Sequence, residues 1–193
     1  MNTLPASKKE QSHQRIVAAA ARVMRRSGFK SVNVAEVMKE AGLTHGGFYA
    51  HFASRDALLA EAVTYASRDS GALVGEYVEK LSARHGNRFK AFIESYLSDS
   101  QITGCENGCP VAALCSEMHS QAPEVVESSR QAITSLQKLV RELLPEHHGD
   151  GASWMIAATI SGAMQMARVL GDGKQGPALL AATRDELLER YAT

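Results

Sequence analysis

Residues 33–52 read NVAEVMKEAGLTHGGFYAHF, and this stretch decides the fold. Asn33 can cap a helix, and Glu36 three positions later gives the spacing of a capping box with Asn in place of Ser or Thr. Val34, Val37, Met38 and Ala41 recur at helical spacing, so one face of that helix is expected to be buried. Gly42 follows the last of them, where a left-handed residue ends a helix at least cost. Leu43 then turns into the core, and Thr44 is a natural cap for a second, short helix over 45–52. In that helix Phe48 and Phe52 share one face and should pack inward, which leaves Thr44, His45, Tyr49 and His51 facing out. Gly46 and Gly47 each cost roughly 1 kcal/mol relative to alanine. They either occupy a first turn where fraying is cheap, or let the backbone approach a groove edge or a phosphate. Two short helices around a tight turn, the second polar and aromatic, form the pattern of a helix-turn-helix whose second helix enters the DNA major groove.

The charge distribution supports the same reading. The chain is neutral overall, with 21 basic and 21 acidic residues among 193. Residues 1–55 hold Lys8, Lys9, Arg15, Arg22, Arg25, Arg26, Lys30, Lys39 and Arg55 against Glu10, Glu36 and Glu40. Nine minus three leaves +6 there and −6 on residues 56–193. A basic head on an acidic body suits phosphate binding, which draws its affinity from counterion release. The alternative is a merely solvated helix face.

Length and composition fit one small and one larger helical unit, expected at 1–53 and 54–193. Hydrophobic content of 45% and charged content of 22% are ordinary for a globular chain. No apolar run approaches a membrane span, and residues 1–11 lack the apolar core of a secretory signal, so no membrane partner and a cytoplasmic location are expected. Three cysteines do not suggest a disulfide framework. The first eleven residues read as a flexible arm carrying Lys8 and Lys9, with the first helix from about 12 to 27. After Ser54 the periodicity stays helical. Helices are expected over about 54–84, 87–97, 110–119, 123–144, 152–170 and 177–191, with a glycine-containing loop at 103–109. The fold class is therefore all-α, with about nine helices.

Gly28-Phe29, Ala41-Gly42-Leu43-Thr44, Gly47-Phe48-Tyr49-Ala50-His51-Phe52 and Ser54-Arg55-Asp56-Ala57-Leu58-Leu59 together resemble the DNA-binding domain of the TetR family of bacterial one-component regulators. The likeness covers roughly the first third of the chain. It departs at Met38, where alanine is frequent at the helix crossing, and at Val32, where threonine is frequent. The resemblance implies a transcriptional regulator, by default a repressor, with a helical effector-binding and dimerisation domain behind the head. It implies phosphate contacts from Lys8, Lys9, Asn33, Tyr49 and Arg55, with Thr44, His45, Gly46 and His51 near bases or adjacent phosphates. It also implies a homodimer through helices 152–170 and 175–191. DNA geometry asks for the same, because two-fold half-sites lie about 34–36 Å apart. Small residues Ala157, Ala158, Ser161, Gly162, Ala163 and Ala167 would allow close helix approach, although another layer of monomer core would read alike.

An unidentified small molecule is expected between helices 54–84 and 123–144. Tyr65, Phe89, Phe92, Tyr96, Met118 and Trp154 are candidate pocket walls, each of which could equally be plain core. No cofactor is expected. Cys105, Cys109, Cys115 and His119 stand in a C-x3-C-x5-C-x3-H pattern. Three readings stay open: buried small hydrophobes, a thiol sensor centred on Cys109 at a helix start, or zinc ligands. The last is disfavoured by the loose C-x3-C spacing, and no metal site is assigned. A rival from another class is a thiol-dependent peroxidase-like enzyme using Cys115 and His119, although its cysteine pair would be six residues apart rather than three.

Overall fold

The first helix, α1 (Lys8–Ser27), begins four residues before the expected start at about residue 12. Ser7 and Glu10 form a reciprocal capping box: the Ser7 hydroxyl accepts the Glu10 N–H, and the Glu10 carboxylate accepts the Ser7 N–H at 2.8 Å. Lys8 and Lys9 are therefore helical, which corrects the expectation of a flexible arm reaching to residue 11. The computed structural model describes residues 7–192, the side chains of 83–85 excepted, so the rest of that arm, residues 1–6, lies outside the described residues.

Behind α1 come a short 3-10 turn (Phe29–Ser31) and α2 (Val34–Glu40), then a 3-10 segment (His45–Ala50) and the 31-residue α3 (Arg55–His85). The rest is α4 (Arg88–Tyr96), the single turn α5 (Ser100–Thr103), a 3-10 turn (Cys105–Asn107), α6 (Pro110–Met118), α7 (Pro123–Leu143), α8 (Asp150–Leu170) and α9 (Gln175–Tyr191). Ser54 and Asn87 cap α3 and α4 through their side chains, as their positions before apolar periodicity suggested. Pro110 and Pro123 occupy first turns, where a missing N–H costs nothing.

Helix α3 is the spine. Its first turns bury Leu58, Leu59, Ala62 and Val63 against α1, and the rest of its length lies against α4 and α7. Helices α8 and α9 pack on each other, and α8 closes over α7 and α6. One continuous apolar core runs from Ile16 on α1 to Tyr191 on α9, with Phe29, Phe48, Phe89 and Phe92 among its largest fully buried side chains. The small head is thus welded to the body by shared core, not hung from a linker.

The weld is closest at Gly28. Its backbone (φ 85°, ψ 168°) lies in a region open essentially to glycine alone. A Cβ there would stand 2.9 Å from Glu117 Oε1, and the same Glu117 carboxylate accepts the Phe29 N–H at 3.3 Å. Gly28→Ala is expected to destabilise the protein by roughly 1–3 kcal/mol. Gly46→Ala, with no atom near its would-be Cβ and no positive φ, is expected to stay within about 1 kcal/mol of wild type. Denaturant melts of the two variants check the contrast.

Candidate nucleic-acid interface and the cavity behind it

The helix-turn-helix is built as its residues suggested, with local differences. Asn33 accepts N–H bonds from Ala35 and Glu36 through its side-chain oxygen. Its own N–H goes to the Ser31 carbonyl, so the Glu36 half of a capping box is replaced. Gly42 takes φ +71°, and the following Leu43 N–H reaches back to the Met38 carbonyl at 2.8 Å. The second element is a 3-10 segment rather than an α-helix, and Thr44 stands at its N-cap without a side-chain cap bond. The Thr44 hydroxyl is exposed and uncommitted to that cap. Met38 is buried at the crossing, its methyl 3.7 Å from where a Cβ on Gly47 would stand. A side-chain carbon on Gly47 would therefore meet Met38 at ordinary contact distance, and the crossing accommodates the larger Met38 without requiring a glycine opposite it.

Phe48 and Phe52 stack at 5.5 Å and are buried, which fixes the face that the segment turns outward. That face carries Thr44, His45, Gly46 and Tyr49, all exposed, with Tyr49 at 75% despite its aromatic ring. An aromatic side chain so open on a short, firmly seated segment is poised for contact with another molecule. His51 is not on that face. Its Nδ1 is buried without a partner, its ring lies 5.9 Å from His13, and burial, with His13 and Lys9 adding repulsion, lowers its pKa. Neighbouring His13 stacks on Phe52 at 4.5 Å and bonds Glu61 at 2.6 Å.

Much of the basic surplus is spent internally. Arg55 donates to the carbonyls of Val32 and Phe29, pinning the start of α3 to the head instead of reaching freely outward. Arg22 pairs with Glu40 at 2.7 Å, Arg25 with Asp69 at 3.3 Å and Arg26 with Glu106 at 2.6 Å. Among the described residues, Lys8, Lys9, Arg15, Lys30 and Lys39 are the head's basic side chains outside such pairs, and all are exposed. Sequence proximity could not show this, because Asp69 and Glu106 are 44 and 80 residues from their partners.

Behind the head, α3, α4, α7 and α8 enclose a cavity of ≈ 560 Å³ that the loop before α6 closes. Phe92 and Tyr96 line it. The other four expected wall residues do not: Phe89 and Met118 are buried in solid core, Tyr65 packs against that core, and Trp154 points out of α8 at 47% exposure. Helical spacing marks apolar faces but does not separate a filled face from a hollow one. The lining that sequence reading missed includes polar residues, Ser67, Ser70, Ser95, Ser135, Gln101 and Arg168 among them, beside apolar ones such as Leu136 and Met164. A serine on a helix reads as surface, and Arg168, in the last turn of α8, reads as complementing the helix dipole.

All three cysteines are free thiols. Cys109 forms part of the cavity wall beside Tyr96, Cys105 is half-buried, and Cys115 is exposed on α6, against the expectation of a small buried hydrophobe. Among the described residues no group of three His, Cys, Asp or Glu side chains is arranged to hold a metal ion. None of the described helices is long and apolar enough to cross a membrane.

A short polar segment seated on a buried aromatic pair after a tight turn, on a helical body that holds a half-open cavity, is the geometry of a helix-turn-helix protein. Two family models match it. The N-terminal model of bacterial regulatory proteins of the tetR family covers residues 16–62, and the C-terminal model of LmrA/YxaF-like transcriptional regulators covers 86–176. The chain belongs to the TetR family of DNA-binding transcriptional regulators. It is 25% identical over 154 residues to the HTH-type transcriptional regulator BetI of Yersinia pestis, spanning 77% of each chain. In fold it is similar to a TetR-family regulator from Cytophaga hutchinsonii (TM-score 0.79, 17% identity, 98% and 99% of the two chains covered). It is likewise similar to the reduced form of E. coli NemR (TM-score 0.74, 18% identity, 94% and 98% covered). The peroxidase alternative gains no support from these matches.

Tyr49 and Phe48 separate contact from scaffold. Tyr49→Ala is expected to weaken binding to cognate duplex by about tenfold while changing stability by no more than ~0.5 kcal/mol. Phe48→Ala is expected to cost about 3–5 kcal/mol and to lose binding through loss of the head. Fluorescence anisotropy with labelled duplex, run beside thermal melts, reads both.

Proposed function

We propose that this regulator is a repressor that grips its operator as a homodimer and lets go when a small molecule occupies the cavity. One observation carries the reading: the segment 104–109 faces both ways. On one side Asn107, Gly108 and Cys109 line the cavity. On the other, the Gly108 carbonyl accepts a bond from Arg25 at 3.3 Å, and Glu106 pairs with Arg26, both arginines belonging to the last turns of α1. A ligand that displaces this segment displaces the head. It shifts the equilibrium only by the difference in its affinity for the gripping and released states.

The dimer face is assigned to α8 and α9. Trp154, Met155, Met166, Val169 and Leu170 leave apolar surface on the outside of α8, with Val169 at 89% exposure. Ala158 and Gly162 lie among them without bulk, while Ala157, Ser161, Ala163 and Ala167 are buried within the chain. Four of the six small residues therefore serve the monomer core, and Ala158 and Gly162 are left for close approach by a second copy. A patch of this kind marks an interaction surface. Thr44, His45, Gly46 and Tyr49 are assigned to the groove, and Lys8, Lys9, Lys30 and Lys39 to phosphates.

A second reading adds covalent chemistry at the same place. Cys109 lies in the cavity wall next to the segment that holds Arg25, so an adduct on its sulfur would act on the same lever. Cys109→Ser would then abolish a response to electrophiles and spare release by non-covalent ligands.

Operator binding and assembly test the main reading together. The wild-type chain is expected to sediment as a dimer and to bind its operator with an affinity that falls steeply as salt rises. Met166→Asp with Val169→Asp is expected to give folded monomers whose operator affinity is lower by ~100-fold or more, since the second head no longer binds intramolecularly. A monomeric wild type with full operator affinity would overturn the two-fold model.

A further inference from the structure

We infer that the cavity takes an anionic amphipathic ligand, a carboxylate or a comparable small acid, with its charged head between Arg168 and Tyr96 and its apolar body along Phe92, Leu136 and Met164. The inference rests on the effector-cavity reading and specifies the chemistry of the occupant.

Among the described residues, no Asp or Glu lines the cavity and Arg168 is its only charged side chain. The Arg168 guanidinium donates to two backbone carbonyls, Ala112 at 3.2 Å and Gln101 at 3.4 Å, while its Nε is buried without a partner. Among the described residues no carboxylate lies within ion-pair distance of it. The contrast with Arg25 is instructive. That guanidinium is fully buried, likewise with an unpartnered Nε, and it has Asp69. Arg168 is half-buried and has no counter-charge, so an anion entering the cavity would supply the partner that the fold does not. Guanidinium is the side chain best shaped for this, since its fork matches a carboxylate with two parallel N–H bonds.

Tyr96 is the second, independent observation. The residue lines the cavity and is 7% exposed, and its buried hydroxyl has the Cys109 thiol and the Ser161 hydroxyl as polar neighbours and no carboxylate. Burial first, and Cys109 second, hold its pKa well above the ordinary phenol value, so it keeps its proton and offers an O–H donor. A phenol O–H donor beside a guanidinium that has no carboxylate partner suits an acid. The remaining wall mixes serines with an apolar stretch of Phe92, Leu136, Leu139 and Met164, and Leu73 and Tyr77 stay exposed along its rim. The ≈ 560 Å³ volume suits a small organic molecule rather than a bare inorganic ion. Aromatic walls by themselves would also suit a cation, but Arg168 repels one and no acid offsets it. A ligand that draws Arg168 off the Ala112 and Gln101 carbonyls would loosen the segments flanking Gly108, whose carbonyl holds Arg25.

The test uses the full-length protein and isosteric probe trios: carboxylate, primary amide and aminomethyl compounds on benzene, naphthalene and octyl frames. Calorimetric titration is expected to find the carboxylate of at least one frame about tenfold or more tighter than its amide, with the amine weakest. Arg168→Leu is expected to erase that preference, Arg168→Lys to keep part of it, and melting curves of both variants verify that they fold. Equal binding within every trio, a preference for the amine, a preference that survives Arg168→Leu, or no binding by any carboxylate would overturn the inference. Operator release separates the two levels. If neutral probes bind and release operator, the effector reading stands and the anionic one falls. If a carboxylate binds through Arg168 without altering operator affinity, the anionic site stands and the effector reading falls.

Discussion

The buried guanidinium of Arg25 is the constraint on which the rest of the structure depends. Its side chain is 1% exposed, wedged where the last turn of α1 meets α3 and the segment before α6. Asp69 and the Gly108 carbonyl are its partners, and burial lowers its pKa while Asp69 raises it. Removing one partner of a fully buried pair costs roughly 3–5 kcal/mol, and the partial exposure of Asp69 places this pair below that range. Arg26 with Glu106 and Glu117 with the Phe29 N–H surround it at the surface, the first of them screened by solvent and worth little in stability. Their combined value is orientation. They fix the direction in which α1 leaves the body, and α1 with α3 carries the outward face of the 45–50 segment.

From that constraint the functional layout follows. Phe48 and Phe52 seat the 45–50 segment in the head's core, beside α2 and with Phe52 stacked on His13 of α1, which fixes the face it turns outward. The same segment 104–109 that receives Arg25 and Arg26 forms part of the cavity wall. In the proposed reading, cavity and groove bias one shared element, and this short stretch touches the cavity on one side and the end of α1 on the other.

What the sequence disclosed and what it withheld differ by the range of the interactions involved. The helix-turn-helix was legible because its signals are local: Asn33 before Val34, Gly42 after Ala41, and the Phe48–Phe52 pair. The start of α1 was equally legible in Ser7-x-x-Glu10, a capping box overlooked in favour of the later apolar pattern. The head's true charge was not, because Arg22, Arg25 and Arg26 look like phosphate binders until folding brings Glu40, Asp69 and Glu106 to them. Cavity walls were half legible. Phe92 and Tyr96 followed from apolar spacing, whereas Tyr65, Phe89, Met118 and Trp154 carry the same spacing with different neighbours. Arg168 was hidden by its ordinary place near a helix end.

The central claim is that the head and the 104–109 segment move as one unit. Backbone hydrogen exchange, followed by mass spectrometry on the full chain with and without a duplex that the protein selects from random-sequence DNA, tests it most directly. Slowed exchange is expected at 45–52 and, as a second separate region, at 104–109. Protection confined to residues before Arg55, with 104–109 exchanging at an unchanged rate, would contradict the account.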